Sequence, residues 1–162
     1  MIDVNPEDKN IFIDFITDMK AKLNEINIPL SVCLAPKTSS FQKGLLYEAH
    51  DYQKIGKLAD YVILMTYEWG YTYGEPMAVS PLPQVKDVIR YAKTVIPKEK
   101  IVMGIPNYGY DWKLPYKKGT AANSLSINEA NDLAIKQKVE INDKIPKDIL
   151  DKVTEYSFEF SY

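Results

Sequence analysis

The sequence is poor in the residues that announce a metal, redox or phosphate site. Its 162 residues include one cysteine, Cys33, and one histidine, His50. A single cysteine closes no internal disulfide and by itself supplies no zinc site, so packing must hold the fold. Glycine is sparse at seven, and no glycine-rich loop of the dinucleotide or P-loop type follows any apolar run; nucleotide binding is therefore not expected. Arginine is limited to Arg90, and 20 Lys and Arg against 22 Asp and Glu leave a formal charge of -2, with no basic field to attract nucleic acid. No stretch approaches the roughly 20 apolar residues that cross a bilayer. The start, MIDVNPEDKN, is polar and acidic where an export signal is basic and then apolar. Neither nucleic acid nor a membrane is an expected partner, and no cofactor or metal is expected.

What is present is an ordinary globular composition, 46% hydrophobic and 26% charged, in a length that suits one domain at about 150 residues each. Pro6 with Glu7 and Asp8 reads as a helix start, and Ile11, Phe12, Phe15, Ile16, Met19 and Leu23 follow as one buried stripe, predicting a helix from about Glu7 to Leu23 or Asn24. The apolar run Pro29 to Ala35 predicts a strand with Cys33 as a core filler. A short helix pattern over 51–58 leads to the run YVILMTY, whose lack of polar alternation predicts burial on both faces. Gln84 to Val95 predicts another helix, and Lys100 to Ile105 a third strand. Alternation of this kind predicts an α/β fold with parallel strands and right-handed crossovers, as a doubly wound sheet or part of a barrel. Further on, Ser126 with Glu129 has capping-box spacing before a helix, and the tail YSFEFSY alternates as an amphipathic strand.

In either architecture function gathers beyond the C-terminal strand ends, where two of the three segments, TYEWGYTYGEP and PNYGYDWKLPY, are dense in tyrosine and tryptophan. His50, in the charged stretch YEAHDY, reads as a surface or loop residue rather than a partner for Cys33. The carboxylates of these segments are Glu68, Glu75 and Asp111. Rings beside carboxylates suit sugar recognition, because a pyranose face stacks on an aromatic ring while its hydroxyls need hydrogen bonds. Packing of Tyr67, Trp69, Tyr71, Tyr73, Tyr108, Tyr110 and Trp112 over the end of the sheet accounts for the same composition equally well.

The stretches LSVCLAPKTSS, EAHDYQKIGKLADYVILMTYEWGYTYGEPMAVSPLPQV and KIVMGIPNYGYDWKLPY resemble consecutive strands and loops of a family 18 glycoside hydrolase, a chitinase-like barrel. More narrowly they resemble the branch of spore-coat and cortex-lytic enzymes. The resemblance implies a partial (β/α)8 TIM barrel, with these strands as about the fifth to seventh. It also implies a barrel part over residues 1–115 and the start of a small α+β insertion over 116–162. The substrate class implied is an N-acetylated glycan, peptidoglycan or chitin-like, and the location implied is the spore coat, cortex or cell wall of a spore-forming bacterium. In that family the sugar's own N-acetyl carbonyl attacks the anomeric carbon while a glutamate protonates the leaving oxygen, an exception to the two-carboxylate scheme. Tyr67 resembles the tyrosine that holds the acetamido group. Met65 would floor the same subsite, Glu68 would be its hydrogen-bond partner, and Trp69, Asn107 and Tyr108 would complete the substrate side. Tyr110 and Trp112 are as readily structural.

The family's acid lies in a run of spaced aspartates ending in glutamate. Residues 1–10 hold no such run, and the resemblance places that glutamate just before Met1, so the chain is expected to be inactive by itself. Two alternatives stay open: a lectin-like module that binds glycan without cleaving it, and an α/β domain whose tyrosines only pack. Three parallel strands also leave two open edges, which favour self-association.

Overall fold

Three short parallel strands carry the architecture: β1 (Ser31–Leu34), β2 (Tyr61–Leu64) and β3 (Ile101–Met103), paired in that spatial order. Ser31 aligns with Tyr61 and Leu34 with Leu64, while Val62 aligns with Ile101 and Leu64 with Met103. The structure is a computed structural model that describes residues 4–138. The described residues fall into two compact units that part between Leu125 and Ser126.

In the first unit, helix α1 (Lys9–Glu25) precedes β1, α2 (Tyr52–Leu58) joins β1 to β2, and α3 (Leu82–Val95) joins β2 to β3. A one-turn 3-10 helix at Pro6–Asp8 leads into α1, with Glu7 and Asp8 near its N-terminus as the dipole favours. At the other end Asn27 takes φ +55° and the Ile28 N–H reaches the Leu23 carbonyl at 3.0 Å, closing the helix through a left-handed residue. Asp51 caps α2 by accepting from the Lys54 N–H at 3.0 Å. Lys100 closes the C-terminal end of α2, donating to the carbonyls of Gly56 at 3.1 Å and Ala59 at 2.7 Å.

All three helices cover one face of the sheet. Phe12 and Ile16 of α1, Tyr52 and Ile55 of α2, and Val88 and Ala92 of α3 form one core with Val32, Leu34, Val62 and Leu64. Helices on a single face fit a barrel segment, whereas a doubly wound sheet carries them on both. The expected α/β alternation with parallel strands is found. Burial on both faces is not: β1 and β2 alternate, with Ser31, Cys33 and Tyr61 exposed and Ile63 half-buried. Apolar residues on the uncovered face produced the unbroken run that suggested two-sided cover. Cys33 is therefore exposed rather than a core filler.

The α1 stripe is likewise buried only in part. Phe12 and Ile16 are enclosed, whereas Ile11 is 67% and Phe15 49% exposed. Phe15 and Met19 line a cavity of about 210 Å³ with Leu30, Ser31 and Cys33 at the open β1 edge. His50 departs from expectation in the opposite sense. It is 1% exposed, and its Nδ1 accepts from the Ala35 N–H at 2.8 Å. Lys37 is 3% exposed and donates from Nζ to the His50 carbonyl at 3.1 Å, while the Tyr52 hydroxyl accepts from the Lys37 N–H at 2.9 Å and donates to the Ala35 carbonyl at 2.6 Å. The charged neighbours of His50 in sequence concealed that its ring fastens the end of β1.

Beyond β3 the chain forms β4 (Tyr108–Asp111), which pairs with β5 (Asn123–Ser126) in a two-stranded sheet that the apolar pattern did not predict. In the second unit, α4 (Ile127–Gln137) begins with the expected capping box: Ser126 Oγ accepts from the Glu129 N–H, and the Glu129 carboxylate accepts from the Ser126 N–H at 2.8 Å. The predicted YSFEFSY strand lies outside the described residues.

Candidate functional site

The C-terminal end of β2 runs directly into the candidate residues. Met65 continues the strand pairing, its N–H donating to the Leu34 carbonyl at 3.0 Å, and its side chain is buried. Thr66 is wholly buried and locks this turn to the neighbouring strand end: its Oγ1 donates to the Gly104 carbonyl at 2.7 Å, and its own carbonyl accepts from Ser80 Oγ at 2.5 Å. Gly104 returns a backbone bond to the Leu64 carbonyl at 2.8 Å. A Cβ on Gly104 would stand 2.8 Å from Tyr67 Cε1, so the Tyr67 ring lies against the bare backbone there.

Glu68 follows in the left-handed region, with φ +67°, an uncommon backbone for a residue other than glycine. Its carboxylate is exposed, and Oε1 accepts two phenolic hydroxyls, from Tyr108 at 2.5 Å and from Tyr110 at 2.9 Å. Tyr108 and Tyr110 stand edge to face with ring centres 5.9 Å apart. Withdrawal from water, and then the acceptor carboxylate of Glu68, push both phenols above their ordinary value. Each is accordingly a standing donor at neutral pH.

Trp69 is set differently from its neighbours. Its side chain packs against the core and its N–H donates to the Val79 carbonyl at 3.1 Å. The next N–H, of Gly70, reaches the Ala78 carbonyl at 3.0 Å, which closes the aromatic loop at its base. A Cβ on Gly70 would fall 2.0 Å from the Met77 carbonyl oxygen, so only glycine fits this closure. Farther out, Trp112 Nε1 donates to the Gly74 carbonyl at 3.0 Å and the Ala122 N–H to the Thr72 carbonyl at 2.7 Å, bracing the loop from the residues just after β4 and just before β5. Tyr71 and Tyr73 remain exposed on it.

Of the expected residues, Met65, Tyr67, Glu68 and Tyr108 are thus gathered at adjacent strand ends. Asn107 is exposed on the turn before β4, and Trp69 is turned toward the core. Tyr110 was not singled out for the site, yet the Tyr-Gly-Tyr spacing contains the signal: residues two apart in a strand share a face. Thr66 and Ser80 escaped notice because isolated hydroxyl residues carry no motif. Among the described residues no group of His, Cys, Asp and Glu side chains could hold a metal ion, and no helix is long and apolar enough to cross a membrane.

A parallel layer covered by helices on one face, with its candidate residues beyond the C-terminal strand ends, has the form of a barrel segment. The sequence profile of the glycosyl hydrolases family 18 matches residues 2–160, and the chain belongs to that family. It is 48% identical over 128 residues to the cortical fragment-lytic enzyme of Bacillus subtilis (strain 168), covering 78% of this chain and 30% of that protein. The structure resembles the Bacillus cereus spore cortex-lytic enzyme SleL with a TM-score of 0.82 and 45% identity, over 88% of this chain and 33% of that one. A chitinase from Chromobacterium violaceum gives a TM-score of 0.75 at 26% identity, over 82% of this chain and 41% of that one. The chain spans about a third of the length of the cortex-lytic relatives. The family expected from the MTYEWG and YGYDW runs is the family found.

Proposed function

We propose that this chain forms the acetamido-binding wall of a cleft that hydrolyses β-1,4 bonds next to N-acetylglucosamine, in peptidoglycan or a chitin-like glycan. The observation that carries the reading is the placement of Tyr67 against Gly104 beside the clamped Glu68 carboxylate. The relatives, a cortical fragment-lytic enzyme and a spore cortex-lytic enzyme, favour spore peptidoglycan as the polymer. In this reading β1, β2 and β3 are the fifth, sixth and seventh barrel strands, and residues 116–162 begin the insertion.

The chemistry follows from the substrate-assisted scheme. The Tyr67 hydroxyl donates a hydrogen bond to the acetamido group, keeping its own proton, and holds the carbonyl oxygen in line with the anomeric carbon. Orientation of this kind removes a large part of the barrier. Met65 closes the apolar floor, Glu68 accepts from the sugar or its N–H, and Asn107 and Tyr108 stand at the rim. The proton for the leaving oxygen comes from a glutamate outside these residues.

Titration of the chain with tetra-N-acetylchitotetraose, followed by the fluorescence of Trp69 and Trp112, tests the reading. Saturable binding that weakens in Tyr67→Phe is expected. Release of reducing sugar from peptidoglycan should be undetectable, since loss of the general acid alone costs about 10²–10⁴-fold. Turnover by the chain would overturn the assignment of the acid to another segment, and indifference of the fluorescence to the tetrasaccharide would favour tyrosines that only pack.

A further inference from the structure

Two phenols converge on one oxygen of Glu68, and the other oxygen has no donor among the described residues. An ionised carboxylate offers about four lone-pair directions, two on each oxygen. Filling both on Oε1 with strong donors fixes the carboxylate plane and leaves Oε2 for a ligand. The holding pair is itself fixed. Tyr108 and Tyr110 stand on one side of β4, separated by Gly109, and brace each other edge to face. Glu68 meets the pair from a backbone already turned into the left-handed region.

We propose that Tyr110 is a positioning residue of the glycan site: with Tyr108 it holds Glu68 so that Oε2 is the preset acceptor for an N–H or O–H of an N-acetylated sugar. This rests on the function proposed above. An exposed glutamate otherwise spreads over many rotamers and surrenders that freedom when a ligand binds. The two phenols remove the freedom beforehand. Tyr110 touches no sugar in this arrangement and acts only through Glu68.

The test is a double-mutant cycle on the 162-residue chain with tetra-N-acetylchitotetraose as the probe, joined to an alkaline absorbance titration of the tyrosines. Tyr110→Phe should weaken binding about tenfold, the equivalent of one charge-assisted hydrogen bond. It should add nothing in a Glu68→Ala background, and thermal melting should change little. In Glu68→Ala alone, two phenols should ionise at lower pH than in the parent chain. A Tyr110→Phe effect of equal size in both backgrounds, or no effect in either, overturns the positioning role. A tyrosine titration unmoved by Glu68→Ala with glycan binding intact overturns the clamp while leaving the glycan reading standing. Absence of tetrasaccharide binding by the unsubstituted chain, with the titration shifted as expected, overturns the glycan reading and the ligand role of Oε2 with it.

Discussion

Behind the sheet, Leu34, Ile55, Val62, Leu64 and Val88 are wholly enclosed and owe their positions to the exclusion of water. Beyond the strand ends, Thr66, Ser80, Tyr108, Tyr110 and Trp112 make directed side-chain hydrogen bonds of 2.5 to 3.0 Å. The two regions share the strand β2, which ends in the core at Leu64 and enters the site at Met65. Apolar burial is additive and forgiving in direction, whereas each rim bond fixes one atom. Stability and site geometry are therefore separable over a few residues of chain.

Substitutions on either side of that junction sharpen the contrast. Leu64→Ala should give the largest effect, about 2–5 kcal/mol of lost stability, read as a lower denaturant midpoint. A loss well under 1 kcal/mol would break the view that this face carries the stability. Thr66→Val removes the Oγ1 bond to the Gly104 carbonyl while keeping the side-chain shape; about 1–3 kcal/mol is expected from the stranded carbonyl. It should also displace Tyr67, so that glycan affinity falls more than it does in Leu64→Ala at equal stability. Equal affinities would show that the rim latch does not set the site.

The smallest effect belongs to Asp60, which pairs with Lys20 at 2.6 Å and accepts from the Leu30 N–H at 2.7 Å. The ammonium and then the N–H hold its carboxyl below the ordinary value of 3.8. A depressed folded value means that the contribution is complete above the ordinary value and is lost as pH falls through the lower one. Asp60→Asn should flatten the acid limb of a stability profile below about pH 4 and leave glycan affinity untouched.

The difference between the two regions also explains what was legible in the sequence. Alternating apolar runs and helical spacing located β1, β2, β3 and α1 to α4, because each is a property of many residues at once. Burial went astray where one face of the sheet lies open: Cys33, Phe15 and Met19 look like core in composition and are exposed in the fold. His50 failed in reverse, since the bond to the Ala35 N–H that buries it joins residues 15 apart. At the site, Tyr67, Glu68 and Tyr108 are reached through the family runs around them, and the Tyr-Gly-Tyr spacing puts Tyr110 on the face of Tyr108, but the bond of each phenol to Glu68 joins residues 40 and 42 apart. Pairings across such distances leave no local pattern.

Gly104 has no side chain and no charge, yet the Tyr67 ring lies against the space where its Cβ would be. Moving an oriented group by an ångström can cost about a hundredfold in rate. The location of the Tyr67 side chain is thus written partly in an atom that is missing, and a search keyed to side-chain chemistry would pass over the position on which Tyr67 leans.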